Sequence, residues 1–207
     1  YDLEILHVHG LGFIQHDAAI KKIKIKNKRT KIVCTPHGPF MALGNYNLPE
    51  RFFKKIYTFF IIKSLKNYDS VIQVNPFQYK WLTKEYKIPK SKINFLPNGI
   101  DEHLFKEFKK ENIKKIKKEY GLEGKFVISY VGRIQRYKGL DQVIKILSKI
   151  KKENILFLMI GKDVGDKKRL HELARALNVV EKIKFAGEIS EDEKIMLLDC
   201  SEFFIFP

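Results

Sequence analysis

The sequence predicts an α/β fold, with parallel strands covered by helices on both faces and two such units in the chain. Three observations carry that prediction. Short apolar runs bounded by Gly, Pro or Asn recur along the 207 residues and alternate with segments of helical period. The polar motifs follow those runs: His9-Gly10, His37-Gly38, Asn98-Gly99, Gly132-Arg133, Gly161-Lys162 and Gly187-Glu188. In open parallel sheets ligands sit beyond the carboxyl ends of the strands, so this recurring position points to a binding edge. Finally, the Asn98-Gly99-Ile100-Asp101 turn precedes a charged stretch, after which the pattern restarts, dividing the chain into residues 1–101 and 102–207.

Strands are expected over residues 3–8, 31–35, 70–74, 93–96, 126–131, 155–160, 182–185 and 203–206. Residues 51–66 are rich in Phe, Ile and Lys and contain no acid. They read as a core-packing helix with a solvated lysine face or, alternatively, as a basic amphipathic surface for anionic lipid. Residues 21–31 are expected to form a solvated loop. Residues 102–119 read as a charged helical stretch, with Ile113, Ile116 and Tyr120 on a shorter helix. Leu140, Val143, Ile144, Leu147 and Ile150 share one face at spacings of three and four, and Leu170, Leu173, Ala174 and Leu177 repeat the pattern. Ser190, with Glu193 three residues on, is a capping-box signal for a helix through Leu198.

An apolar fraction of 44% supplies a buried core and excludes disorder. No run approaches the length of a membrane-spanning helix and no signal peptide opens the chain, so a cytoplasmic location is expected. Cys34 and Cys200 lie far apart, which supports neither a disulfide framework nor a metal site. Asp-x-Asp, His-Glu-x-x-His, the phosphate-loop signature and the Gly-x-Ser-x-Gly elbow are all missing, and no metal is expected. The chain opens at Tyr1 and stops at Pro207, each next to a strand-like run, the pattern of a fragment cut at both ends.

Charge is lopsided. Residues 1–100 carry 17 Lys+Arg against 6 Asp+Glu, and residues 101–207 carry 23 against 18, for a net of +16. A basic balance attracts nucleic acid, anionic lipid and phosphorylated ligands alike. The aromatics are not interleaved with the basic residues as a base-stacking surface requires, so no nucleic acid is expected. A nucleic-acid-binding protein remains the alternative class, marked by salt-steep binding that is insensitive to Arg133→Ala.

The strongest motif runs from Gly132-Arg133 to Lys138-Gly139, between an apolar run and a helical segment. Arg133 offers a planar fork for phosphate oxygens, Lys138 a compact charge, and Gly139 opens a helix whose amides and dipole favour an anion. The bland alternative is a basic surface loop in a basic protein. Thr35-Pro36-His37-Gly38 and His9-Gly10 place histidines at strand ends, where each is either a ligand contact or a satisfied structural residue. Gly161 and Gly187 read as turn residues or ligand contacts, and the Asn98-Gly99 turn is explained by structure alone.

Taken in order, seven motifs resemble the family-four retaining glycosyltransferases of GT-B fold. They are Leu6-His7-Val8-His9-Gly10, Thr35-Pro36-His37-Gly38, Leu96-Pro97-Asn98-Gly99-Ile100-Asp101, Val131-Gly132-Arg133 with Lys138-Gly139-Leu140-Asp141, Ile160-Gly161, Phe185-Ala186-Gly187 and Phe203-Phe204-Ile205-Phe206-Pro207. The resemblance implies two incomplete Rossmann-like domains, 1–101 on the acceptor side and 102–207 on the donor side. It implies a nucleotide-sugar donor as substrate, no cofactor, and a glycan or lipid-linked acceptor. The expected setting is the cytoplasm, with peripheral contact to the anionic inner face of the cell membrane resting on the basic first half and on residues 51–66. By resemblance, Gly132, Arg133, Lys138 and Gly139 hold the donor diphosphate, and Gly161, Gly187, Glu188 and Ile189 bind the nucleotide. His37 lies by the attacked carbon, and His9 and Gly10 lie on the acceptor side. The family's pair of glutamates, seven residues apart, would fall beyond Pro207, so this stretch alone is expected to be at best a weak donor binder. A nucleotide-sugar epimerase of the same architecture is the second alternative.

Overall fold

The computed structural model describes residues 3–39, 47–102 and 107–207. The chain divides into two compact units, Tyr1–Ile100 and Asp101–Pro207. The first unit runs β1 (Ile5–His9), α1 (Ile14–Lys26), β2 (Lys31–Thr35), α2 (Leu48–Leu65), β3 (Ser70–Gln73), α3 (Gln78–Lys84) and β4 (Ile93–Phe95). Its strands form one parallel sheet in the order β1-β2-β3-β4. The second unit runs α4 (Lys110–Glu119), β5 (Phe126–Val131), α5 (Leu140–Leu147), β6 (Ile155–Ile160), α6 (Lys167–Ala176), β7 (Ile183–Gly187), α7 (Glu191–Asp199) and β8 (Phe203–Phe204). Its sheet is also parallel, in the order β7-β6-β5-β8.

Strand β6 shows why the second sheet is sandwiched. All six residues of Ile155–Ile160 are buried. Alternate side chains point to opposite faces. Accordingly Ile155, Phe157 and Met159 enter a core with α5 and α6, while Leu156, Leu158 and Ile160 enter another with Ile116 of α4 and Leu197 of α7. Burial on both faces is the mark of a parallel sheet covered by helices. In the first unit Ile32, Cys34 and Val71 of the sheet pack with Ile20, Ile61, Leu65 and Leu82 from α1, α2 and α3.

All eight expected strands are present, three with the expected ends and the others with ends that move by one or two residues. Residues 203–206 narrow to the two-residue β8, and residues 182–185 lengthen to β7. Three expectations need correction. Residues 21–31 are not a loop: α1 continues to Lys26, because Ile20 is buried beneath it and Lys24 donates to the Thr30 carbonyl at 2.7 Å. Helix α3 was not foreseen; it is seven residues long and is held by the fully buried Leu82. The helix expected within 102–119 begins only at Lys110, and residues 103–106 lie outside the described residues. The other helices agree closely, and the Ser190–Glu193 capping box forms at the start of α7.

Candidate functional site

The carboxyl edge of the second sheet is built from glycines. The Gly132 amide donates to the Ile160 carbonyl at 2.9 Å, and the Gly161 amide to the Gly187 carbonyl at 2.8 Å. Gly161, at φ +137°, lies so close to the Gly132 carbonyl that an added Cβ would overlap it. Beyond these contacts the loop after β5 is zipped to the loop after β6. Ile134 donates to the Lys162 carbonyl at 2.8 Å, and Val164 returns to Ile134 at 2.9 Å. A turn over Arg136–Lys138 then delivers the chain to Gly139, left-handed at φ +69°, which is the N-cap of α5.

Three helices start at this edge, and their N-termini are finished differently. At α6 the Asp163 carboxylate accepts the amides of Gly165, Asp166 and Lys167 at 3.0–3.1 Å. Those amides, that of Lys167 foremost, hold the Asp163 carboxyl below the usual carboxylate range. At α7 the capping box closes the end. At α5 Gly139 provides no side-chain cap. The Gly139 amide reaches the Arg136 carbonyl at a long 3.4 Å, and Gln142 turns back to Gly139 at 2.9 Å. Among the described residues neither the Leu140 nor the Asp141 amide meets an acceptor on another residue, which leaves them as uncapped first-turn donors.

The two cations of the motif belong to the loop that leads into this end. Arg133 Nη2 donates to the Tyr137 hydroxyl at 3.1 Å, and the Tyr130 hydroxyl donates to the Arg133 carbonyl at 3.0 Å. Lys138 Nζ lies 5.1 Å from the Tyr137 ring centroid and 4.7 Å from that of Phe206, which itself stacks on Tyr130. These rings hold the ammonium by cation–π attraction without neutralising it. Neither Arg133 nor Lys138 has a carboxylate partner among the described residues. Asp141, the acid in the first turn of α5, is occupied by Lys145 at 3.0 Å and Arg169 at 3.9 Å. Partial burial works to raise its carboxyl, but the Lys145 hydrogen bond and the two cations outweigh that and hold it low. The Gln135 side-chain oxygen is buried in the same loop without a partner.

In the first unit, period-two alternation puts His7 and His9 on one face of β1, and the chain leaving β2 brings His37 to them. His9 Nδ1 and His37 Nε2 are 2.9 Å apart, so one ring carries the hydrogen and the other accepts it. The His7 and His9 rings are 4.4 Å apart, and His7 Nε2 meets the Thr35 hydroxyl at 2.8 Å. His37 sits at φ +46°, fixed by a tight turn in which the Gly38 amide meets the Pro36 carbonyl. Gln78 holds the turn by donating to the His37 carbonyl at 3.0 Å. The Gly10 amide ties the end of β1 to the Thr35 carbonyl at 2.8 Å.

Gly132, Arg133, Lys138, Gly139, Gly161 and Gly187 therefore share one edge of the second sheet, and His9, Gly10 and His37 share the corresponding edge of the first. Glu188 is exposed beside Gly187. Ile189 packs instead against the core beneath α7. Sequence reasoning missed Tyr137 and Phe206 as the partners of the cations, and missed His7. Asp163, four residues before α6 begins and two before Gly165, carried a readable capping signal. No group of three or more His, Cys, Asp or Glu among the described residues is arranged to hold a metal ion.

Two family models match this chain, one in each unit. The model of the Glycosyltransferase Family 4 domain matches residues 1–104, and that of Glycosyl transferases group 1 matches residues 112–207. The chain belongs to glycosyltransferase family 4. It is 25% identical over 207 aligned positions to the O-antigen biosynthesis glycosyltransferase WclY of Escherichia coli, covering 93% of this chain and 52% of WclY. The crystal structure of a Rickettsia africae glycosyltransferase superposes on the whole chain with a TM-score of 0.76 at 24% identity, over 52% of that protein. Anabaena HepE, solved with UDP-glucose, superposes on 97% of the chain with a TM-score of 0.70 at 17% identity, over 52% of HepE. The fold is therefore GT-B. The chain spans about half the length of the curated relatives it matches.

The histidine cluster of this family-four chain makes a pH prediction. Burial, then the positive charges of His9 and His37, hold the His7 imidazole below its ordinary range. A lowered histidine pKa means the unfolded chain binds the proton more tightly. The stabilisation from neutral His7 is thus complete above the ordinary histidine range and is lost as pH falls through it to the folded value. His7→Gln should flatten the drop in urea midpoint between about pH 7.5 and about pH 5. An unchanged drop would remove His7 from the account.

Proposed function

We propose that the protein carrying this chain transfers a sugar from a nucleoside diphosphate sugar to a glycan or lipid-linked acceptor, retaining the anomeric configuration. One observation carries the reading: at an edge where two of three helix N-termini are capped, the uncapped one is entered by a loop whose two cations have no carboxylate partner among the described residues. The bond that breaks joins the anomeric carbon to the diphosphate, so negative charge grows on the leaving phosphate. Arg133, Lys138 and the Leu140 amide stabilise that charge, the role a divalent metal would otherwise fill. Gly161 and Gly187 let the backbone approach the nucleotide closely, and exposed Glu188 contacts it. His37, its proton state coupled to His9, orients and polarises the transferred sugar instead of attacking it. Gly10 shapes the acceptor side. HepE was solved with UDP-glucose, which favours a uridine nucleotide. WclY acts in O-antigen biosynthesis, which favours a surface glycan made at the cytoplasmic face of the membrane.

The test uses the full-length protein and a panel of nucleotide sugars, with and without glycan acceptors. Acceptor-dependent release of nucleoside diphosphate, undiminished by EDTA and giving a product of retained configuration by NMR, is the expected result. Isomerised nucleotide sugar formed without an acceptor would assign an epimerase instead. Retained turnover with inverted configuration would overturn the stereochemical part.

A further inference from the structure

Helix α2 carries a face that the described residues leave uncovered. Its start is fixed by an Asn47–Glu50 capping box with Pro49 in the first turn. One side is pinned to the first unit's core by the buried Ile61 and Leu65, by Tyr57 donating to the Gly12 carbonyl at 2.9 Å, and by the Ser64 hydroxyl bonded to Asp17. At 100° per residue, Phe52, Ile56, Phe59 and Phe60 fall on the opposite side. They are 66%, 43%, 63% and 58% exposed. Soluble helices turn charge toward water on that side; this one turns aromatics.

Cations lie within and beside the stripe: on the same spacing Lys63 and Lys66 fall among the aromatics, with Arg51 and Lys55 to one side. Arg51, Lys54, Lys55, Lys63 and Lys66 accompany it, and the only acid within the helix is the capping Glu50. Lys54 pairs with Glu85 of the following segment at 4.0 Å, while Arg51 and Lys55 meet no carboxylate among the described residues. A groove of about 540 Å³ beside the helix is lined by Phe59 and Ile62, by Arg51, Lys54 and Lys55, and by Glu85, which pairs with Lys54. Apolar side chains in a lining of net positive charge accommodate an acyl chain below a phosphate.

From this arrangement we infer that α2 is an in-plane anchor that lays Phe52, Ile56, Phe59 and Phe60 into an anionic lipid surface, with its cations at the phosphate level. Charge complementarity selects this occupant. A second copy meeting the same face would set five cations against five, and a covering protein segment would need carboxylates opposite Arg51, Lys55 and Lys63. The helix lies on the surface and does not cross: no helix of the described residues is long and apolar enough to span a bilayer. Anchoring of this kind draws on apolar burial and on attraction to anionic headgroups together, so each should be separately removable. The inference does not depend on the donor chemistry.

The experiment is flotation of the full-length protein with vesicles of phosphatidylcholine alone or mixed with phosphatidylglycerol, with no nucleotide sugar present. Binding to the mixed vesicles alone, weakening as salt is raised, is expected. Lys55→Glu/Lys63→Glu should weaken it by well over the roughly fivefold expected for each cation lost at the surface. Phe59→Ser/Phe60→Ser should abolish it even at low salt. Both variants should keep the wild-type circular dichroism spectrum, since neither touches Ile61 or Leu65. Equal binding to neutral vesicles, or none to either, overturns the inference. So does a phenylalanine variant that binds as wild type, or one that converts a dimer to a monomer in sedimentation equilibrium without affecting flotation.

Discussion

Arg133→Ala is expected to lower sugar transfer by roughly 10²- to 10³-fold, the loss typical when one preorganised donor to a developing oxyanion is removed. Three features place the effect at the high end of what a loop residue can do. The guanidinium has no carboxylate partner among the described residues, so its charge is available to the diphosphate. Its position is held from both sides, by Tyr137 on Nη2 and by Tyr130 on the main-chain carbonyl, so little ordering is left for the moment of reaction. It also shares an edge with the uncapped end of α5, whose dipole adds to the same field. Arg133→Lys should recover little, because an ammonium cannot reproduce the planar two-point grip. Tyr137→Phe, which only loosens the fork, should cost far less. The measurement is kcat and KM for the donor, with calorimetric binding of nucleoside diphosphate beside it. Transfer that survives Arg133→Ala unchanged would place the diphosphate elsewhere.

How much of this edge the sequence discloses depends on how local each cause is. Strand β6 is legible because burial on both faces demands six consecutive apolar residues. Helix α5 is legible because Leu140, Val143, Ile144 and Leu147 all enter the core, each adding to one stripe. Helix α1 is not legible, for the converse reason: only Ile20 is buried, so its period rests on a single residue. Its lysine-rich end is held by contacts of Lys24 to Thr30 and Asp69 that no local pattern encodes.

The candidate site divides the same way. The glycines and cations are visible as residue types at a strand-to-helix junction, and so is the Ser190 box. That Lys138 is held by Phe206, from the other end of the unit, is a consequence of β8 pairing with β5. That Arg133 and Lys138 are unpaired follows from where Asp141, Lys145 and Arg169 meet. The His9–His37 contact likewise requires the β1–β2 register, which sets His9 beside Thr35 just before the turn.

The glycine framework gives the largest stability prediction. Gly161→Ala is expected to destabilise the second unit by about 2–5 kcal/mol, combining a left-handed backbone with overpacking. The Cβ would strike the Gly132 carbonyl, a backbone atom with no rotamer to move to. Nor can the two strands part easily, because the Gly132 amide is bonded to Ile160 and the Gly161 amide to Gly187. Gly165→Ala is the control. Gly165 also has a positive φ, +90°, but an added Cβ meets nothing within 4 Å, so only the backbone cost of about 1–2 kcal/mol applies. Urea unfolding of the two variants separates close approach from conformation. With total stabilities of about 5–15 kcal/mol for a domain, the first variant should lose a large part of the second unit's stability and the second variant a small one. Equal losses would mean that the strand ends relax apart on substitution, and the phosphate-facing loop they position would then be softer than its hydrogen bonds imply.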